Sequence, residues 1–207
     1  MKKKIAVLGK GDLAIKCCEF IKKHHNLKVV VPDMPEPEWS NSLFGWAKSQ
    51  NIEVIDSGDY KELNLHEIDL AISIFYGKIF KKDILDKCSV INLHNAPLPK
   101  YRGVRPINWA LKNNENFHGV TIHKVSEGID DGDILGRVTY PIYPEIEEVE
   151  DVYKKALDYG YILFKDVMSK IDFCLTHATP QKDFKEKPTY FSMKDNKFLL
   201  ERSDFRR

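Results

Sequence analysis

The first thirty residues place strand and helix patterns around a glycine-rich turn, and this order constrains the fold more than any other feature. An apolar strand pattern at Lys4–Leu8 precedes the turn Gly9-Lys10-Gly11, which an amphipathic helix pattern at Asp12–His24 follows. A second apolar run, Leu27–Val31, completes a βαβ unit, which joins parallel strands by a right-handed crossover. We therefore expect an α/β fold: a Rossmann-like, mostly parallel twisted sheet with helices on both faces.

The glycine turn does not predict a dinucleotide cofactor. Gly9 and Gly11 begin the pattern G-x-G-x-x-G, but Ala14 occupies the third glycine position, and no Gly-Lys-Ser/Thr phosphate loop follows. We interpret the stretch as a tight structural turn, with Asp12 as the cap of the next helix. A backbone contact with a substrate phosphate remains open.

Strand and helix patterns alternate as far as Leu93, and after this residue the order of the elements is different. Strands are predicted at Glu53–Ile55, Asp69–Ile74, Cys88–Leu93, Gly119–Lys124 and Ile134–Pro141, and helices at Leu43–Ser49, Lys81–Lys87, Pro106–Asn113 and about Ile146–Ile171. The last two strands have no helix between them, which predicts an antiparallel pair beside the parallel sheet. We expect a catalytic core at residues 1–145, with a helix and tail at 146–207 completing it.

The composition fits a globular protein without a nucleic-acid partner. Of the 207 residues, 43% are hydrophobic and 30% are charged, and the net charge of +1 gives no general attraction to phosphates. The apolar run behind the lysine-rich start, Ile5–Leu8, is too short for a signal peptide or a membrane span, so we expect a cytoplasmic protein. The four cysteines lack C-x-x-C spacing, which predicts buried, reduced thiols and no metal site.

A strand that ends in polar residues marks the expected active site. Asn92 and His94 are two residues apart, so an extended chain directs both side chains to one face. Pro97 and Pro99 then stiffen the loop that follows. Sites in parallel α/β sheets lie outside the carboxyl ends of the strands, so we place the site here.

The acidic turn Ser126–Asp133 has three interpretations. The spacing is wrong for an EF-hand, and no glutamate stands at the twelfth position, which argues against a calcium loop. On the residues alone, a solvated turn and a turn that supplies a carboxylate to the active site both remain open.

Several motifs in order resemble the folate-dependent formyltransferases, which include the glycinamide ribonucleotide, methionyl-tRNA and nucleotide-sugar enzymes. These motifs are Asn92-Leu93-His94, Leu98–Gly103, His118–His123 and Gly128–Gly132. The resemblance spans roughly Lys4 to Ile142. The family's His-x-Ser-Leu-Leu-Pro stands here as His-Asn-Ala-Pro-Leu-Pro, a departure that leaves the Asn-x-His pair intact.

The resemblance implies transfer of a formyl group from N10-formyltetrahydrofolate to a primary amine, without a metal. It places the catalytic trio on Asn92, His94 and Asp130. An amide can donate to the oxygen that gains negative charge, an imidazole can move a proton near neutrality, and a carboxylate can orient the imidazole. Folate is then expected at two segments, held largely by backbone groups: Phe75, Tyr76, Gly77, Lys78 and Ile79, and Gly128, Ile129, Asp131 and Gly132. His118 and His123 are expected to support the fold around the site.

Three amine acceptors remain open. Methionyl-tRNA enzymes carry a further C-terminal domain, and glycinamide ribonucleotide enzymes begin with a Gly-Ser-rich phosphate loop, which Gly9-Lys10-Gly11-Asp12 does not match. The nucleotide-sugar enzymes resemble this chain at Leu93-His94-Asn95, at Pro106–Trp109 and in a short aromatic tail. The favoured acceptor is dTDP-4-amino-4,6-dideoxyglucose for O-antigen or another surface polysaccharide, with GDP- and UDP-linked sugars as alternatives.

The acceptor is expected to contact a loop, a helix and the tail. The predicted residues are Asn95, Arg102, Arg105, Trp109, Tyr190 and Phe191, with the arginines for the diphosphate and the tail aromatics for the base. Ordinary surface charge for the two arginines and buried packing for Tyr190 and Phe191 both remain open. The long apolar helix Val149–Val167 suggests a homodimer. A different class of function also stays open, namely an inactive folate-binding or assembly protein of the same fold.

Overall fold

The computed structural model describes residues 2–200, and the chain divides into two compact units. One unit comprises Met1–Leu93 and Lys124–Glu127, and the other comprises His94–His123 and Gly128–Arg207. Residues 201–207 of the predicted C-terminal tail lie outside the described residues.

The first unit contains a parallel sheet with the strand order β3-β2-β1-β4-β5. Its strands and helices are β1 (Lys4–Gly9), α1 (Gly11–His24), β2 (Asn26–Pro32), α2 (Leu43–Ser49), β3 (Glu53–Val54), β4 (Leu70–Ile74), α3 (Lys82–Leu85) and β5 (Ser89–His94). Short 3-10 helices lie at Tyr60–Glu62 and Leu65–Glu67. The predicted α/β class and the βαβ start of the chain are confirmed.

Strands β1 and β4 are apolar along almost their whole length because both of their faces are covered. Every residue of β1 from Ile5 to Gly9 is buried, as is the whole of β4. Helix α1 packs on β1 and β2 through an apolar stripe that includes Cys17 and Cys18. Burial raises the pKa of both thiols, so these free cysteines are structural and unreactive, as predicted.

The predicted cap of α1 is wrong. The helix begins at Gly11, whose φ of +76° suits glycine, and the residue in the cap position is Lys10. Asp12 therefore lies in the first turn, where a carboxylate favours the positive end of the helix dipole. Its Oδ1 accepts a hydrogen bond from the amide of Asn41 at 2.5 Å.

The second unit combines short strands with a long helix. Its elements are β6 (Arg102–Gly103), α4 (Pro106–Lys112), β7 (Phe117–Lys124), β8 (Ile134–Pro141), α5 (Val149–Ser169), α6 (Ile171–Thr176), β9 (Tyr190–Phe191) and α7 (Asn196–Leu200), with 3-10 helices at Gln181–Asp183 and Met193–Asp195. β7 and β8 are antiparallel, as predicted. The parallel pair β6–β9 was not predicted, because two-residue strands leave no alternation in the sequence.

Helix α5 uses its apolar stripe inside its own unit. It begins after Glu148, where a capping box with Asp151 satisfies the first backbone N–H groups. It packs on α4, α6 and β8, and its buried residues include Phe164 and Val167. The stripe that suggested a dimer contact is thus covered by this chain, and Ile162 remains as an exposed apolar residue of the helix, with 57% of its surface accessible.

No helix within residues 2–200 is both long enough and apolar enough to cross a membrane.

Candidate active site

The carboxylate of Asp130 lies at the centre of a group of polar contacts in the second unit. The N–H of Gly103 donates to Oδ2 of Asp130 at 2.8 Å. Nδ1 of His94 lies 3.6 Å from the same oxygen, and Nε2 of His123 lies 3.5 Å from Oδ1. Asp130 itself has a φ of +50°, a left-handed conformation that a residue other than glycine adopts at a cost.

These contacts keep Asp130 ionised. Burial alone raises the pKa of the carboxyl group, but the charges of His94 and His123 and the Gly103 N–H outweigh it. The pKa of Asp130 therefore lies well below its usual range. A carboxylate that stays charged and mostly buried is suited to orient an imidazole and to stabilise its protonated form.

The imidazole of His94 is fixed by a backbone carbonyl. Its Nε2 lies 2.9 Å from the carbonyl oxygen of Tyr101, and because a carbonyl only accepts, Nε2 carries a proton. Nδ1 is then the nitrogen that can take up a second proton, and it faces Asp130. His94 is buried, with 8% of its surface accessible, and its catalytic role stays a prediction.

Tyr101 holds that carbonyl in place through its own side chain and backbone. Its φ of +62° is again left-handed. Its hydroxyl donates to Glu115 at 2.6 Å and accepts from Asn113 at 3.1 Å, and its backbone N–H donates to Oγ1 of Thr189 at 2.7 Å. Its ring stacks on Phe191 with a centroid distance of 5.8 Å. The tail of the chain therefore helps to set the position of a carbonyl that orients His94.

Asn92, the third predicted catalytic residue, lies in the first unit. It is half-buried in β5, opposite Ser73 of β4, and two residues before the strand ends. Side chains two apart on an extended strand point to the same face, so the strand geometry that the sequence predicted for Asn92 and His94 is present.

The first predicted folate segment, Phe75–Ile79, is held by its own side chains. Tyr76 donates its hydroxyl to the carbonyl of Gly58 at 2.7 Å, and Lys78 donates to the same oxygen at 2.7 Å. These two side chains therefore fix the loop, which is consistent with recognition of a ligand by its backbone. Ile79 stays 64% accessible.

The second predicted folate segment, Gly128–Gly132, is the turn that carries Asp130. Its carbonyls at Asp130 and Gly132 each accept a hydrogen bond from the amide of Gln181, at 2.8 and 2.9 Å. Ile129 is 42% accessible. Gln181 thus fixes the backbone of the turn, while the side chain of Ile129 stays exposed.

The predicted acceptor residues divide into two groups. Arg102 and the pair Trp109 and Phe191 are engaged within the unit: the guanidinium donates to Gln181, and the two rings stack at 4.1 Å. Arg105 and Tyr190 are exposed. Phe191 packs against Trp109, and its base-stacking role stays a prediction.

Asn95 has a half-buried side chain whose Oδ1 lacks a hydrogen-bond partner among residues 2–200. Its carbonyl accepts from Nε2 of His118 at 2.8 Å. His118 lies fully buried in β7 and supports the fold, whereas His123 contacts Asp130 directly. The supporting role that the sequence suggested for both histidines fits these positions.

His118 predicts a drop in stability in mild acid. Burial lowers the pKa of His118 to about 4, below the ordinary value of 6.5, because a second proton on Nδ1 has no acceptor among residues 2–200. Between these two values the unfolded chain binds the proton and the folded chain does not. The free energy of unfolding should therefore fall by about 3 kcal/mol as the pH drops from 6.5 to 4.

Denaturant unfolding of the wild type and of His118→Gln across pH 4 to 7 measures this effect. The difference between the two pH profiles in this window gives the contribution of His118 to the free energy of unfolding. Equal slopes for both proteins would contradict the assignment.

Sequence reasoning missed the parts of the site that act through the backbone. The carbonyl of Tyr101 and the N–H of Gly103 belong to the loop that the sequence singled out, but a residue type does not show where its backbone groups point. Among residues 2–200, no group of three or more His, Cys, Asp and Glu side chains is arranged to hold a metal ion.

Known proteins of similar structure include two formyltransferases that were solved with folate and nucleotide ligands. The N-formyltransferase from Helicobacter canadensis, solved with folinic acid and dTDP-3-aminofucose, matches with a TM-score of 0.79 and 29% identity, over 94% of this chain and 72% of that one. WlaRD, a sugar 3N-formyl transferase solved in the presence of dTDP and 5-N-formyl-THF, matches with a TM-score of 0.77 and 29% identity, over 94% of this chain and 71% of that one.

Sequence comparison identifies a second group of relatives and a matching protein family. Methionyl-tRNA formyltransferases from Agathobacter rectalis and Clostridium tetani are 29% and 31% identical over 92% and 94% of this chain. The chain spans less than two thirds of these relatives, namely 65% and 66% of their length. The formyl transferase family model matches residues 3–168, which is most of the sequence. The chain therefore belongs to the formyl transferase family.

Proposed function

We propose that this protein transfers a formyl group from N10-formyltetrahydrofolate to the amine of a nucleotide-linked amino-dideoxy sugar. The observation that carries the chemistry is the pair of His94 and Asp130, in which a fixed imidazole presents Nδ1 to a buried, ionised carboxylate. The observation that favours a sugar acceptor is the likeness to two sugar N-formyltransferases over 94% of this chain.

The chain's own groups supply the proton transfer that this reaction needs. The bound folate provides a formyl carbon that an amine can attack, and the attacking nitrogen must then lose a proton. His94 accepts that proton on Nδ1, because Nε2 is already protonated and donates to the carbonyl of Tyr101. Asp130 stabilises the resulting imidazolium ion. Asn92 is proposed to donate its amide N–H to the formyl oxygen as negative charge develops there.

The two segments assigned to folate suit a flat, partly apolar ligand. Ile79 and Ile129, one in each segment, are exposed apolar side chains that a bound folate is proposed to cover. The neighbours were solved with folinic acid and with 5-N-formyl-THF, ligands of the same class.

The sugar nucleotide is proposed to be dTDP-linked, because one neighbour was solved with dTDP-3-aminofucose and the other with dTDP. Their names specify a 3-amino sugar, whereas the resemblance of the sequence favoured a 4-amino-4,6-dideoxyglucose, so both positions belong in the test. The second candidate acceptor is methionyl-tRNA, because the matching sequence relatives carry that name. We further propose that the product serves O-antigen or another surface polysaccharide, and that the enzyme is a cytoplasmic homodimer with an interface other than the covered stripe of α5. Light scattering tests the dimer.

The test of the proposed function is an acceptor panel. The purified protein is incubated with N10-formyltetrahydrofolate and, in parallel, with dTDP-linked 3-amino and 4-amino sugars, GDP- and UDP-linked amino sugars, glycinamide ribonucleotide and methionyl-tRNA. We expect N-formylation of a dTDP-sugar, detected by the mass of the product and by release of tetrahydrofolate. Formylation of methionyl-tRNA or glycinamide ribonucleotide alone would refute the sugar assignment. Folate binding without transfer to any acceptor would favour the inactive, folate-binding alternative.

A further inference from the structure

Gln181 is a buried amide that the proposed reaction does not use. It begins a 3-10 helix in the second unit and has 5% of its surface accessible. Its Oε1 accepts two hydrogen bonds from the guanidinium of Arg102, at 3.0 and 2.7 Å. Its Nε2 donates to the carbonyls of Asp130 and Gly132, at 2.8 and 2.9 Å. Both N–H groups and the oxygen of this side chain therefore have partners.

These bonds close a ring of contacts around the carboxylate of Asp130. Gln181 holds the carbonyl of Asp130, and Asp130 accepts the N–H of Gly103 through its side chain. Arg102 directly precedes Gly103, and its guanidinium donates a hydrogen bond to Oε1 of Gln181. Gln181 thus holds the backbone of Asp130 directly, and through Arg102 it also holds the β6 segment whose Gly103 N–H binds the side chain of Asp130.

The conformation of Asp130 shows why such a connection matters. A φ of +50° costs a residue other than glycine roughly 1 kcal/mol or more, so surrounding contacts must hold it. The direction of the carboxylate depends on this backbone conformation. Released from Gln181, the turn would relax toward ordinary backbone angles and move the carboxylate away from His94.

We propose that Gln181 is a positioning residue, which fixes the turn of Asp130 and the β6 segment in the register that aligns the carboxylate with His94. This inference rests on the proposed function, because it assigns Gln181 to the alignment of a catalytic pair. Gln181 touches neither the formyl group nor the amine and acts through Asp130.

Two substitutions separate the contacts of Gln181. Gln181→Leu removes both sets of bonds at similar volume. Gln181→Glu keeps the size and pairs with Arg102, but it presents an oxygen to the carbonyls of Asp130 and Gly132. Lys182→Ala is the matched control, since Lys182 is the exposed next residue of the same 3-10 helix.

Kinetics of formyl transfer test the role. Both Gln181 variants should lower kcat by about 10- to 100-fold, because displacement of a catalytic group by about 1 Å has an effect of this size. KM for N10-formyltetrahydrofolate should rise by a smaller factor than kcat falls, because the turn that Gln181 holds is also a proposed folate segment. Lys182→Ala should match the wild type. Variants with wild-type kcat would overturn the inference, as would a loss confined to KM.

A double substitution distinguishes positioning from general support of the fold. If Gln181 acts through Asp130, adding Gln181→Leu to Asp130→Asn should lower kcat by less than about twofold further. A full additional loss in the double variant would show that Gln181 acts independently and would overturn the inference. Should Gln181→Leu not fold, Gln181→Glu replaces it in the same cycle.

Hydrogen exchange gives a readout that needs no activity. The N–H of Gly103 should exchange at least about tenfold faster in the Gln181 variants, because its acceptor on Asp130 is released. The N–H of Leu98, bonded to Oγ1 of Thr121, should keep its rate and serves as the internal control. Unchanged exchange at Gly103 would overturn the positioning role whatever the reaction is. An inactive wild type with fast exchange in the variants would instead refute the proposed function alone.

Discussion

Replacing His94 by alanine is expected to lower kcat for formyl transfer by about a thousandfold, because the residue is the proposed general base and such groups contribute about 10²- to 10⁴-fold. The structure specifies the nitrogen concerned: Nε2 donates to Tyr101, so the lost function belongs to Nδ1. His94→Gln tests this point. Its amide can keep the hydrogen bond to the carbonyl but cannot take up a proton, so it should be as slow as His94→Ala.

Asp130→Asn should be nearly as slow, because it removes the charge that stabilises the imidazolium ion. We expect a decrease of about 10²- to 10³-fold in kcat, with the fold retained, as judged by circular dichroism. His66→Ala is the control, since His66 is exposed in a 3-10 helix of the other unit. Near wild-type rates in both His94 variants would refute the catalytic assignment.

Features that follow a local pattern were predictable from the sequence. The run at Lys4–Leu8 and the helix at Leu43–Ser49 match β1 and α2 to within one residue, because burial on both faces and one apolar helix face leave a periodic signal. His94 and Asp130 are separated by 35 residues, and nothing in the sequence between them indicates that they are in contact. Only the resemblance to a known family predicts that they belong to one site.

Features that depend on distant backbone contacts were not predictable. The β6–β9 pair joins Arg102 to Tyr190 and Gly103 to Phe191, and only the folded chain brings these residues together. The same holds for Gln181, which in the sequence is an ordinary polar residue after a proline. Its side chain can be buried because Arg102 and the carbonyl of Asp130 form hydrogen bonds with its amide.

The tail of the chain therefore takes part in the site in a way that its composition does not suggest. The sequence leaves base stacking and packing in the fold both open for Phe191, and in the structure its ring stacks on Trp109 and Tyr101. Thr189 accepts two hydrogen bonds from the same loop, with Oγ1 from the N–H of Tyr101 and with its carbonyl from the N–H of Arg102, and its own N–H donates to the carbonyl of Pro99. Both the carbonyl that fixes His94 and the N–H that fixes Asp130 belong to the loop that these tail residues hold.

Gly103→Ala is expected to disrupt this connection and to affect stability and catalysis together. Gly103 has a φ of +90°, and a Cβ there would lie 2.1 Å from the carbonyl oxygen of Phe191, so β6 and β9 must separate. The left-handed conformation and the clash should lower the free energy of unfolding by more than about 2 kcal/mol. Because the N–H of Gly103 also holds Asp130, kcat should fall by about 100-fold at a temperature where the variant remains folded.

Gly45→Ala provides the matched control for this prediction. Gly45 lies in α2 of the other unit with an ordinary backbone conformation, and a Cβ there would meet the side chain of Ser42, with Oγ at 3.3 Å and Cβ at 3.5 Å. Its free energy of unfolding should change by less than about 1 kcal/mol, and its kcat should equal that of the wild type. Denaturant unfolding and formyl-transfer kinetics on the same preparations measure both quantities. A Gly103→Ala variant that is destabilised but has normal kcat when folded would show that the β6–β9 pair supports the fold without aligning Asp130.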